Sequence, residues 1–152
     1  MNKEELKIKL TELLSSASFD EGGEYLNIII SSENFLSAAK TLRKHPELNF
    51  DYLFCQTCVD WKTQLMMVYH LESTQYRHQV VVKVLLDRNK PETETVSHIW
   101  KTAEFHEREV YEMFGVNFLH HPDLRLLILP DGWEGKNPMR KDFEDPVNMI
   151  KL

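Results

Sequence analysis

The segments Gln64-Leu65-Met66-Met67-Val68-Tyr69-His70-Leu71 and His78-Gln79-Val80-Val81-Val82-Lys83-Val84-Leu85-Leu86 decide the fold. In the first, Leu65, Met67, Tyr69 and Leu71 alternate with their neighbours. In the second, Val80, Val82, Val84 and Leu86 do the same. A period of two puts alternate side chains on one face, so each segment reads as a strand with one buried face. A third strand-like run lies at about 49–58, and the links between the three are short and polar. Together they predict an antiparallel meander. Upstream, the isoleucine-rich residues 24–30 supply a fourth strand after Gly22-Gly23 break the chain. Leu6, Leu10, Leu13 and Leu14 recur at helical spacing within residues 3–15. Phe35, Ala39 and Leu42 do so between a Ser31-Ser32 cap and Pro46. The expected class is α+β: a two-layer sandwich of a roughly four-stranded, mainly antiparallel sheet with helices.

A further helix is predicted from about 95 to 114. Val96, Trp100, Ala103, Val110 and Phe114 form its apolar stripe, and the missing member of that stripe is Glu107. A carboxylate on an apolar face is costly unless something pairs with it. Arg125, Arg140, Lys141 or backbone N–H groups are the candidates. Arg108 has Glu104 and Glu112 one turn to either side and is expected to pair with them. Gly115 suits the left-handed residue that ends a helix. From Val116 onward no period lasts. Pro122, Pro130, Pro138 and Pro146 recur, yet Phe118, Leu124, Trp133 and the run Leu126 to Leu129 are apolar. The expected organisation is an α+β domain over 1–115 and an extended arm over 116–152 that buries its apolar residues on a partner.

The chain has 152 residues, of which 42% are hydrophobic and 28% charged, with a net charge of −6. That balance fits one globular domain with an appendage. Its sign argues against nucleic acid or an anionic membrane as the main partner. The charged start Met1-Asn2-Lys3-Glu4-Glu5 predicts no secretory leader, and no apolar run reaches the roughly 20 residues that span a bilayer. Direct membrane insertion is not expected. Cys55 and Cys58 have CxxC spacing, but no second pair completes a zinc site, and they sit inside a strand-like run. They read as two small buried residues. His106, Glu109, His120 and His121 raise one alternative, a small metal-dependent hydrolase. Adjacent His120 and His121 would ordinarily diverge in a turn. The chain lacks a glycine-rich phosphate loop and a GxSxG elbow, so no catalytic residue is assigned.

The joint between domain and arm carries a family resemblance. Glu107-Arg108-Glu109, Glu112-Met113-Phe114, His121, Arg125 and Leu127-Ile128 stand at the spacing seen in the C subunit of respiratory complex I. The sequence thus resembles the thirty-kilodalton subunit family of NADH:quinone oxidoreductase. Gly115-Val116-Asn117-Phe118, His121-Pro122-Asp123-Leu124, Pro130-Asp131-Gly132-Trp133-Glu134-Gly135 and Pro138-Met139-Arg140-Lys141-Asp142-Phe143 extend the match. Phe105 stands where that family usually has Trp, and Leu126 where it often has a second Arg.

The resemblance implies a cofactor-free structural and assembly subunit of the peripheral arm of a proton-pumping translocase. It would dock on the quinone-site large subunit (the D subunit). Neighbouring iron–sulfur subunits would adjoin it, at the cytoplasmic face of the bacterial inner membrane. Flavin, iron–sulfur clusters and quinone would belong to those partners, and two thiols fall short of the four usual cluster ligands. An equivalent subunit of a membrane-bound hydrogenase or other-donor dehydrogenase is the alternative. The expected anchoring and docking residues are Glu107, Arg108, Glu109, Tyr111, Glu112, Phe114, Gly115, His121, Pro122, Arg125, Trp133, Arg140, Lys141 and Asp142.

Overall fold

The computed structural model describes residues 1–20 and 22–150. Helix α1 (Lys3–Leu13) opens on a capping box. Asn2 accepts the Glu5 N–H, and the Glu5 carboxylate accepts the Asn2 N–H. Strands β1 (Ser18–Asp20) and β2 (Leu26–Ser31) pair antiparallel, and helix α2 (Ser32–Lys44) follows. The meander is β3 (Tyr52–Asp60), β4 (Gln64–Glu72) and β5 (Gln79–Asp87). The sheet order is β1-β2-β5-β4-β3, and only the β2–β5 pair is parallel. The α+β class and the mainly antiparallel sheet agree with the sequence reading. The sheet has five strands rather than four, because the three-residue β1 is too short to show a period.

The core lies on one face. Ile28, Ile30, Leu65, Met67, Tyr69, Val80, Val82 and Val84 meet Leu6, Leu10, Phe35, Ala39 and Leu42 there, together with Val110 and Phe114 from the last helix. A bulge shifts the β3 register between Leu53 and Cys55. One extra residue flips every later side chain to the other face. Gln56, Cys58 and Asp60 are therefore buried, while Cys55 is only half-buried.

Two boundaries differ from expectation. The last helix, α3, covers Ala103–Phe114 and does not begin near 95. Val96 and Trp100 are buried as the stripe required, but they belong to a turn in which the Val96 carbonyl accepts both the Ile99 and Trp100 N–H groups. The Trp100 indole donates to the Phe50 carbonyl, and the Thr102 hydroxyl to that of Leu53, which fixes the turn against β3. Further on, β6 (Glu92–Glu94) pairs in parallel with β7 (Asn117–Leu119). Val116 and Phe118 are core residues, so the packed body extends past Gly115 to β7.

Candidate functional site

Helix α3 exposes Phe105 and Glu109 but buries three charged residues, Glu107, Arg108 and Glu112. Each has its own solution. The Glu107 side chain has no exposed surface. Its Oε1 accepts the Val96 N–H at 2.8 Å and its Oε2 accepts the Thr95 hydroxyl at 2.5 Å. Burying a carboxylate costs several kcal/mol, and a hydrogen bond to a charged group returns about 1.5–3 kcal/mol. Two bonds do not fully compensate. Burial pushes the carboxyl up to about 7, against the pull of those bonds. Gln56 and Tyr69, direct cross-strand partners on β3 and β4, face the same region. Among the described residues, neither the Gln56 amide nor the Tyr69 hydroxyl has a partner at hydrogen-bonding geometry. Of the candidate partners, Arg125, Arg140 and Lys141 form no ion pair with Glu107, and the backbone alternative is the one found, at Val96.

Arg108 and Glu112 do not form the expected pairs along the helix. Arg108 sends Nε to the Arg125 carbonyl at 3.1 Å and a terminal nitrogen to the Leu126 carbonyl at 2.7 Å. Glu112 accepts the N–H groups of Leu127, Ile128 and Leu129 at 2.9–3.1 Å. Two side chains one turn apart thus hold five consecutive residues of the following segment by their backbone. A planar guanidinium fork suits two carbonyls, and a carboxylate has enough lone pairs for three donors. With its polar backbone engaged, the segment turns Leu127 and Ile128 outward; they are 41% and 61% exposed.

The rest of the arm is fastened at two further places. At the α3 C-terminus, Gly115 is left-handed (φ +77°), Arg140 Nε donates to the Phe114 carbonyl at 2.7 Å, and the Met139 N–H donates to that of Met113. These donors satisfy carbonyls that a helix end leaves open. At the end of β3, the buried Asp60 carboxylate accepts the Lys62 and Lys141 N–H groups and a fork from Arg88 at 2.9 and 3.0 Å. Arg88 foremost holds Asp60 well below the usual carboxylate range. Arg88 also bridges to Asp142 at 2.8 Å. Lys141 Nζ lies 5.8 Å from the centre of the Trp61 ring, and Trp133 packs near Phe143. The arm is therefore fastened to the domain as far as Phe143, although Met139, Val147, Met149 and Ile150 remain exposed.

Of the other predicted residues, Tyr111 is half-buried against the core and Phe114 lies within it. Arg125 is exposed and paired with Asp123, and Pro122 is exposed in the turn. Thr95, Asp60 and Arg88 were not anticipated; no local pattern in the sequence links them to residues so far away. His120 and His121 diverge. His120 reaches Glu94 at 2.8 Å, and the His121 ring is buried under α3 against the Glu104 carbonyl. Among the described residues, no group of three or more His, Cys, Asp or Glu side chains is placed to hold a metal ion. His106, Glu109, His120 and His121 thus do not converge as the hydrolase reading required. Cys55 and Cys58 point to opposite faces of β3, and burial pushes the Cys58 thiol up to about 12.

Residues 28–147 match the family described as respiratory-chain NADH dehydrogenase, 30 Kd subunit. The NADH-quinone oxidoreductase C subunit of Chlorobium phaeobacteroides is 40% identical over 119 residues, covering 76% of this chain and 71% of that one. The C/D subunit of Phocaeicola vulgatus is 45% identical over 106 residues, which are 68% of this chain but only 20% of that longer relative. A chain in the membrane-bound sulfane sulfur reductase, an archaeal respiratory membrane complex, superposes with a TM-score of 0.78. It is 31% identical and matched over 93% of this chain and 85% of its own length.

Proposed function

Because the chain belongs to the 30 kDa subunit family of respiratory-chain NADH dehydrogenases, we propose that it is a docking and assembly subunit of a proton-pumping NADH:quinone oxidoreductase. The observation that carries this reading is the clamped segment at Leu127-Ile128. The backbone there is already bonded to Arg108 and Glu112, which leaves the apolar side chains to engage a neighbour. The occupant is the quinone-site large subunit, the one called D. Support comes from relatives in which C and D are named as one chain. On this reading flavin, clusters and quinone belong to partner subunits; for the clusters, the placement of Cys55 and Cys58 on opposite faces of a strand supports it. Among the described residues no helix is long and apolar enough to cross a membrane. The chain sits peripherally at the cytoplasmic face, held there through the complex.

A double variant, Leu127→Asp with Ile128→Asp, tests the docking role without touching the clamp. The purified variant melts like the wild type, whereas the complex isolated from cells producing it lacks this subunit. Normal stoichiometry in that complex would rule out docking through this segment.

Similarity to a sulfane sulfur reductase chain favours one second reading, the same module in a machine with another electron donor. Affinity isolation decides between them. An NADH-binding subunit in the isolate supports the first reading, and a donor module without one supports the second.

A further inference from the structure

A basic groove lies between α2 and the turn after Ser97. Lys40, Arg43 and Lys44 come from α2, Asn49 from the loop that follows it, and His98 and Ile99 from the turn. They enclose about 480 Å³. Cations in the last turn of a helix are favoured by its dipole, which accounts for Arg43 and Lys44 without any ligand. It does not account for Lys40, a turn earlier, or for a histidine delivered by a separate element. Arg43 is oriented by a 3.1 Å bond to Asn49 Oδ1 and feels the Asp51 charge. Among the described residues, no carboxylate pairs with Lys40 or Lys44. Unpaired cations gathered around a concavity, in a chain of net charge −6, are a local exception to its overall sign.

We propose that this groove docks an acidic, extended segment of a protein partner, with carboxylates on Lys40, Arg43 and Lys44 and an apolar side chain on Ile99. Charge complementarity selects an anion. The concave shape and the half-buried Ile99 select an extended peptide, which can enter the groove, over the broad surface of an anionic bilayer, which cannot. This surface is separate from the arm and does not depend on the arm's role.

Fluorescence anisotropy of a labelled peptide of alternating Glu and Leu, titrated with the full chain, tests the proposal. Binding is saturable, weakens with salt, and falls about tenfold in Lys40→Glu/Lys44→Glu. A control with the same charge change elsewhere, Lys3→Glu/Lys90→Glu, binds like the wild type. Thermal melts establish that both variants fold, and Arg43→Gln provides a second, milder lesion that weakens binding in the same direction. Phosphatidylglycerol vesicles and inorganic phosphate run as competing ligands and leave the peptide in place. The proposal is overturned if the peptide does not bind, if both charge variants weaken it equally, or if vesicles displace it.

Discussion

His121 Nε2 stands 3.7 Å from Glu107 Oε2, and yet His121 is not the counter-ion of Glu107. His121 Nδ1 accepts the Asp123 N–H at 3.0 Å, so that nitrogen carries no proton. The ring proton is on Nε2, which donates to the Glu104 carbonyl at 2.9 Å. Both ring nitrogens are thus engaged elsewhere, and the carboxyl beside the ring is buried with no Lys or Arg paired to it among the described residues.

The first prediction concerns pH. Burial raises the Glu107 carboxyl from 4.5 to about 7 in the folded chain. Between those values the folded state holds a proton that the unfolded state has lost. The stability contributed by that proton is fully present below 4.5 and declines as pH rises to about 7, by about 3 kcal/mol in all. Glu107→Gln removes this decline. Urea melts from about pH 4 to about pH 8 follow the difference in unfolding free energy between wild type and variant, which turns against the wild type as pH rises. A flat difference would mean that folding does not raise the Glu107 carboxyl above its unfolded value.

Glu112→Ala leaves three N–H groups without their acceptor. An unmade bond of this kind costs about 1–3 kcal/mol for each group that stays dry, and less where water enters. Hydrogen exchange at Leu127, Ile128 and Leu129 quickens sharply while β4 and β5 remain protected. Arg108→Lys gives a milder version of the same pattern, because a point charge cannot fork onto two carbonyls. Uniform loss of protection across the sheet would contradict a local clamp.

Asp60→Asn breaks the fork from Arg88 and weakens the seat of Lys141. A broken buried pair costs about 3 kcal/mol, moderated here because Arg88 keeps Asp142. The lesion appears in denaturant melts and in faster exchange over residues 139–143. In the wild type, Asp60 has a depressed folded value, so its contribution is present above pH 3.8 and is lost as acid approaches the folded value.

Gly115→Ala destabilises by about 1–3 kcal/mol. The left-handed φ of +77° disfavours any side chain, and an added Cβ would lie 2.7 Å from Asn137 Oδ1. Thermal melts report the loss, and the Asn137 amide resonance in NMR moves with it.

The meander was legible in the sequence because β4 and β5 each bury one face and so leave a period of two. Glu107 was legible for a related reason, since a charge on an apolar stripe signals a local solution. The nature of that solution was not. Thr95 lies in a turn whose buried Val96 and Trp100 mimic helical spacing, and hydrogen bonds rather than periodicity distinguish the two. The β3 bulge is a single extra residue with no compositional mark, yet it decides that Gln56 and Asp60 point inward. Asp60, Arg88 and Lys141 meet across 28 and 81 residues of chain, a separation to which local patterns are blind.

An arm held by Arg108 and Glu112, by Arg140, and by Asp60 with Arg88 has given up much of its backbone freedom when the chain itself folds. A loose tail would surrender that freedom on meeting its neighbour, at about 1–2 kcal/mol per residue. In the proposed docking, association starts from a surface of this chain whose shape already exists. Its heat-capacity change should follow the contact area, without an excess from folding of the arm on contact. On that proposal the arm has no folding step left at assembly, and the rate is set by orientation and collision.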